Sequence, residues 1–289
     1  MTKMPHRFGR SGFGADPARY ASARPPYPDA LYLRLIDRCG LGPDCTILEI
    51  GPGTGHATTA LIAHGAARLH VIEPDARLAA HLRLTIDHPG LTIDNTAFET
   101  ATLPAGSFDL GVAATSFHWI NQTSGLRKIL ASLKPGGWWA MWWTHFGSGT
   151  TDAFQAAIGH LFTNDERRSA ASPRQYQSAA LPQGYHGAAL PQRRPPFDLD
   201  RTARLRDLSA AGFIEPAADV WEQSHHYVTP QLVDLYATVS TVQAMAEPQR
   251  QVFLANIARI AEGEFGGSVE RRFTTSLYTA RRPPHKDYR

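Results

Sequence analysis

Cysteine is almost missing from this chain. Cys39 and Cys45 are the only two among 289 residues, too few for a disulfide scaffold or a zinc cluster, so no metal site is expected. Long apolar runs are missing too. No stretch reaches the roughly 18 residues a membrane-spanning helix needs, and no membrane partner is expected. The first residues, Met1 to Asp16, are polar and glycine-rich, unlike a secretion signal, and the chain reads as cytoplasmic. Charge of one sign is scarce: 29 Lys and Arg stand against 26 Asp and Glu, giving a net +3. The basic residues are scattered instead of forming the patch a nucleic-acid binder uses, so no nucleic-acid partner is expected. What is present is an ordinary globular composition, 43% hydrophobic, 10% aromatic and 19% charged. The length suits one core domain of about 200 residues with added segments.

Short β-branched runs alternate with amphipathic ones, the pattern of an open α/β sheet covered by helices on both faces. Strands are predicted at Thr46–Ile50, Arg68–Ile72, Leu91–Asn95, Phe108–Thr115 and Trp138–Trp143. Helices are predicted at Asp29–Cys39, His56–His64, Asp75–Leu84 and Gln122–Leu133. Residues Phe8 to Pro28 read as an irregular arm. Ser169 to Pro196, rich in proline and without helical periodicity, reads as a long loop or lid. A helix at Thr202–Ala211, a strand near Ala218–Tyr227, helices at Pro230–Met245 and Glu247–Glu262, and a strand at Glu270–Ala280 follow. The expected organisation is an arm with a helix over 1–40, a core over 41–145, a partly mobile insert over 146–201, and the rest of the sheet with cap helices over 202–289.

The strongest motif is Glu49-Ile50-Gly51-Pro52-Gly53-Thr54-Gly55, a strand entering three alternating glycines and then a helix. Glycines let backbone approach a ligand, and the helix N-terminus offers free N–H groups. Glu73, at the end of the second strand, stands where an acid can accept both hydroxyls of a ribose. A dinucleotide site wants a third Gly or Ala, but His56 or Thr58 occupies that place. The Gly-Lys-Ser/Thr of a phosphate loop is absent. Glu49, beside the turn, suits a ligand with a positive amino group better than a diphosphate. Together these favour S-adenosylmethionine, a nucleoside without phosphate.

With these residues the chain resembles the class I S-adenosylmethionine-dependent methyltransferases, of the type-11 small-molecule kind. The likeness runs through Glu49–Gly55, His70-Val71-Ile72-Glu73-Pro74-Asp75 and Leu103-Pro104-Ala105-Gly106-Ser107-Phe108-Asp109. It continues in Ser116-Phe117-His118-Trp119 and Leu133-Lys134-Pro135-Gly136-Gly137, and begins in the arm Tyr20–Pro28. The resemblance implies a Rossmann-like seven-stranded, mostly parallel sheet whose last strand is antiparallel. It implies that Gly51, Gly53, Thr54 and Gly55 pass under the methionine part of the cofactor and that Glu73 holds the ribose. Pro74 and Phe98 would flank the adenine, with Glu99 near its amine; Ala114 and Thr115 would meet the ammonium group; Tyr20 and Arg24 would close over the carboxylate. One departure stands out: the segment Asn95-Thr96-Ala97-Phe98-Glu99 leaves the register of the usual acidic residue open. The product would be S-adenosylhomocysteine, the partner a small-molecule substrate, and the protein a monomer or homodimer.

Methyl transfer asks the protein to position two reactants and exclude water; a general base is needed only if the acceptor must lose a proton. His118, after the fourth strand, and His145, past the fifth, are the candidate catalytic residues, each weighed against a structural role. His225-His226 point to opposite faces of a strand. The pairs Trp138-Trp139 and Trp142-Trp143 read as core filling on both sheet faces, with a substrate cage as the rival reading. Arg193, Arg194, Arg201 and Arg204 read as solvated, with an acidic-substrate clamp as the rival. Two other functions compete with methyl transfer: a cyclisation or rearrangement steered by a bound sulfonium, and a non-catalytic cofactor sensor.

Overall fold

The computed structural model describes residues 16–147, 152–162 and 197–284. Before the sheet come α1 (Pro17–Ala23) and α2 (Asp29–Cys39). Helix α1 corrects the expectation of an irregular arm. The Asp16 side chain accepts the Arg19 N–H at 3.0 Å, and Pro17 opens the helix where a missing N–H costs nothing. That start signal was present in the sequence but sits among glycines and prolines that read as loop.

The strands are β1 (Thr46–Ile50), β2 (Arg68–Ile72), β3 (Leu91–Asp94), β4 (Phe108–Ala114), β5 (Leu133–Phe146), β6 (Ile214–Val228) and β7 (Ser268–Arg281). Helices α3 (His56–Ala63), α4 (Ala76–Thr85) and α5 (Gln122–Ser132) connect the first of them. The seven-stranded sheet runs β3-β2-β1-β4-β5-β7-β6. Strand β7 is antiparallel to both its neighbours and the other strands are parallel, as expected. Strand β5 starts earlier than predicted, because Lys134-Pro135-Gly136-Gly137 forms an irregularity inside the strand: Phe108 pairs with Leu133, but Leu110 with Trp138.

One core cluster on one sheet face contains Leu48, Ile50, Phe117, Trp139 and Trp143; another contains Ile47, Val112, Leu61 and Trp142. The paired tryptophans divide between them, so they are core residues and not a cage. Strand alternation is the reason.

Beyond β5 come α6 (Ala153–Ile158) and α7 (Arg201–Ala210), and after β6 the helices α8 (Thr229–Ala237), α9 (Ser240–Gln243) and α10 (Glu247–Phe265). The single helix expected over Pro230–Met245 is broken at Thr238 and Val239. The Thr238 hydroxyl donates to the Leu235 carbonyl at 2.6 Å and Val239 is extended. Helices α6, α8, α9 and α10 build a third apolar cluster with Tyr227, Val269 and Phe273 from β6 and β7. The arm is tied to this cap by Arg19, whose guanidinium reaches the Asp234 carboxylate at 2.6 Å. The proline-rich stretch Ser169–Pro196, with Arg193 and Arg194, lies outside the described residues. Among the described residues no helix is long and apolar enough to cross a membrane.

Candidate functional site

The strand order reverses between β1 and β4, and a crevice opens beyond the carboxyl ends of those strands, where open α/β sheets bind ligands. The cleft holds about 1410 Å3 of space with its open mouth included. Its floor is the turn after β1, and the three glycines there serve three needs. All have left-handed backbone, with φ of 64° at Gly51, 61° at Gly53 and 87° at Gly55. A Cβ on Gly51 would stand 2.7 Å from the Ser116 Cβ, and one on Gly55 would stand 2.7 Å from Ile86 Cδ1. These two glycines permit close packing. A Cβ on Gly53 would meet nothing within 4 Å, although Gly53 lines the cleft. Gly53 therefore leaves a hollow in the cleft wall.

Two carboxyls flank this turn in different surroundings. Glu73 is 3% exposed and lines the cleft; it accepts the Gly53 N–H at 3.1 Å and the Asp75 N–H at 2.9 Å. Its orientation is thus set by backbone before any ligand arrives. Glu49 lies beneath the turn, fully buried, and accepts the Thr58 hydroxyl at 2.7 Å through Oε2. Its Oε1 has no hydrogen-bond partner among the described residues. Burial pushes the Glu49 carboxyl up to about 7, with the Thr58 hydroxyl acting against the shift and the Glu73 charge adding to it. The Thr58 bond, about 1.5–3 kcal/mol to a charged acceptor, does not outweigh the loss of water.

The opposite wall follows β4. Thr115 has φ of 52°, a sparse region for a β-branched residue, held by a 2.7 Å bond from its N–H to the Trp142 carbonyl. Its hydroxyl and that of Tyr27 are 3.1 Å apart, and Ser116 donates to the Ile50 carbonyl, joining the β1 and β4 turns. Ala114 and Thr115 both line the cleft. His118 lines it as well, and its Nδ1 accepts the Trp143 indole N–H at 3.0 Å. The arm covers one side: the Arg24 guanidinium lies 5.2 Å from the Tyr20 ring centre and 5.1 Å from that of Phe146, and donates to the Thr238 carbonyl at 2.9 Å. The break between α8 and α9 sets that carbonyl in place.

Pro74, Phe98 and Glu99 line the other end. The loop carrying them is held by a residue that sequence reasoning missed. Lys128, on α5, donates to the carbonyls of Phe98, Glu99 and Ala101 at 2.5, 3.1 and 2.6 Å, and its ammonium stands 4.9 Å from the Phe98 ring centre. Desolvation lowers its pKa. No local pattern marks a lone helical lysine as a loop clamp.

Several candidates fall elsewhere. His145 does not face the cleft: Thr144 and Phe146 line it, and the strand's alternation turns His145 to the opposite face. There it is 3% exposed and 3.2 Å from the Asp198 carboxylate. Arg204 is neither solvated nor a clamp; it is buried, stacks 3.5 Å from the Phe197 ring centre and binds Asp207 at 2.6 Å. Both cysteines are buried, which pushes each thiol up to about 12. Among the described residues no cluster of three metal-ligating side chains occurs.

A family model described as "Methyltransferase domain" matches residues 47–137. An uncharacterized methyltransferase of Schizosaccharomyces pombe is 28% identical over 131 residues, 45% of this chain and 51% of that one. One from Bacillus subtilis is 27% identical over 104 residues, 35% and 58% of the two chains. The chain thus spans about half the length of the curated relatives it matches. A solved structure from Anaeromyxobacter dehalogenans, described as a type II methyltransferase, aligns over 91% of this chain and 99% of its own with TM-score 0.58 and 22% identity. The phosphoethanolamine N-methyltransferase 2 of Haemonchus contortus, solved with S-adenosyl-L-methionine, aligns over 89% and 53% with TM-score 0.50 and 14% identity. At these identities the solved structures speak for the fold.

Proposed function

We propose that this chain, which carries a class I methyltransferase domain, transfers a methyl group from S-adenosylmethionine to an O, N or C atom of a small organic molecule. The observation that carries the reading is the join between Gly53 and Glu73: an open hollow above Gly53, and beside it a carboxylate already fixed by the Gly53 N–H. Glu73 lines the cleft at the end of β2, where the ribose hydroxyls would meet it. Glu49 does not line the cleft itself but lies beneath the turn with its Oε1 unpartnered, and a cationic amino acid end above it favours the ionised form of that buried carboxyl. Arg24 is the sole Lys or Arg lining the cleft among the described residues, and its guanidinium lies over the Tyr20 and Phe146 rings. That favours a nucleoside with one carboxylate over a diphosphate.

When bound, S-adenosylmethionine supplies an activated methyl group on a sulfonium. The rest falls to this chain's residues. Gly51, Gly53 and Thr54 seat the methionine part, whereas Gly55, expected to join them, is absent from the lining and packs behind the turn toward Leu82 and Ile86; Ala114 and Thr115 turn backbone toward the ammonium group, and Tyr20 and Arg24 close over the carboxylate. Pro74 and Phe98 sandwich the adenine, with Glu99 at its edge. The helices α8 and α9 bring Ser240 to the other end of the cleft, where the acceptor is positioned and water excluded.

Calorimetry tests the reading. S-adenosylmethionine binds and NAD does not; Glu73→Ala weakens binding by about 1.5–3 kcal/mol for each ribose bond lost, roughly tenfold or more apiece. Dinucleotide binding with no response to S-adenosylmethionine overturns it.

A further inference from the structure

At the acceptor end of the cleft one histidine has its proton already placed. The Trp143 indole N–H can only donate, and it points at His118 Nδ1 from 3.0 Å. Nδ1 must therefore offer its lone pair, and the proton of the neutral ring sits on Nε2, the nitrogen left toward the cleft. Protonating Nδ1 would set one N–H against another. Trp143 cannot easily turn away: it is 2% exposed, with Phe197 and Tyr278 at ring-centre distances of 5.3 and 6.2 Å. Trp119 covers the imidazole from 4.5 Å. Burial alone pushes the ring down to about 3.

The surroundings point the same way. Trp119, Ile120, Phe146 and Phe273 give this end an apolar wall, and Ser240 and Thr144 add neutral hydroxyls. Of the charged side chains in the lining, Arg24 comes from the arm, Glu73 from the end of β2 and Glu99 from the β3–β4 loop. An acceptor that must be deprotonated finds no base in His118, since Nε2 has no lone pair and Nδ1 is taken; His56, the other histidine of the lining, sits at the head of α3 with its Nε2 2.8 Å from the Ala21 carbonyl. A protonated amine would set its charge against an N–H donor. An oxygen that is ionised in water needs no base and fits the donor.

We propose that His118 donates a hydrogen bond from Nε2 to the acceptor, and that the site selects an apolar compound whose attacking atom is an anionic oxygen, a carboxylate or a phenolate. This rests on the methyl-transfer reading above. His118 then acts as a fixed donor that aligns the oxygen and is not a proton carrier.

The test uses full-length protein labelled with 15N-histidine and saturated with S-adenosylhomocysteine. Long-range proton–nitrogen correlation, assigned with His118→Gln, shows a protonated Nε2 and a bare Nδ1 that do not titrate between about pH 5 and 8. In Trp143→Phe the fixed tautomer is lost. Calorimetry with benzoate and 4-nitrophenolate, against neutral nitrobenzene and benzylammonium, shows that at least one anion binds; His118→Phe weakens it about tenfold or more and leaves nitrobenzene unchanged. The benzoate and nitrophenolate arms decide which oxyanion. A proton on Nδ1, titration in that range, or anion binding indifferent to His118 overturns the proposal. S-adenosylmethionine binding to the same samples is the control: its absence removes the methyl-transfer reading, whereas its presence with a titrating His118 removes this proposal alone. If Trp143→Phe does not fold, the wild-type spectrum and His118→Phe decide.

Discussion

Gly51 and Gly53 stand two residues apart with nearly the same backbone, φ of 64° and 61°, yet a methyl group on each meets different surroundings. Either change to alanine places an L-residue in left-handed backbone, costing about 1–2 kcal/mol. At Gly53 the cost stops there, because the new Cβ has no heavy atom within 4 Å. At Gly51 the Cβ would stand 2.7 Å from the Ser116 Cβ, and that atom is fixed to the β4 turn. Overpacking adds about 1–3 kcal/mol there. Thermal denaturation of the two variants gives the comparison: at about 2–4 °C per kcal/mol for a chain of this size, Gly53→Ala melts a few degrees below the parent and Gly51→Ala clearly lower. Calorimetry with S-adenosylmethionine gives the complement. Gly53→Ala stays folded but binds at least about tenfold more weakly, and Gly53→Val, whose side chain fills the hollow, shows no binding. A folded Gly53→Val with parental affinity refutes the placement of the ligand, and a Gly51→Ala that melts no lower than Gly53→Ala refutes the packing.

Glu49 gives a pH test. Its carboxyl is raised from the usual 4.5 to about 7, so the folded state holds the proton more tightly than the unfolded one. The associated stability is fully present below about pH 4.5 and is lost as pH rises through 7, amounting to about 3 kcal/mol. Urea unfolding of Glu49→Gln is therefore expected to match the parent near pH 4.5 and exceed it at pH 8; the reverse order contradicts the buried carboxyl. S-adenosylmethionine affinity rises with pH toward 7 in the parent as Glu49 ionises and is flat in Glu49→Gln, as calorimetry at several pH values will show. Lys128→Met removes three carbonyl contacts and is expected to cost about 2–3 kcal/mol and to speed amide exchange over residues 96–101; unchanged exchange there would mean the loop holds itself.

Much of the fold was legible because its signals are local. The run Ile47–Ile50, the glycines after it and the caps of α4 and α5 each act within a few residues, and Asp75 and Asn121 cap those helices by bonds to N–H groups two and three positions on. The antiparallel place of β7 was read from family likeness, since nothing inside Ser268–Arg281 states which strands it will pair with. The arm helix α1 was missed because its Asp16-Pro17 start is surrounded by loop-forming residues, and the break at Thr238 because one hydroxyl bond decides it.

The site divides along the same line. The chain's own order of residues determined the turn Gly51–Gly55 and the acid at Glu73, because a strand, a tight turn and a helix follow one another directly. Only the folded structure decided that Lys128 clamps the Phe98 loop, that Trp143 fixes the proton of His118, and that His145 turns away from the cleft. Those outcomes depend on contacts between residues 25 to 53 positions apart and on the pleat of one strand. Such pairings cost nothing locally and leave no mark in the sequence around either partner; they exist once the sheet has brought the ends of β4 and β5 side by side.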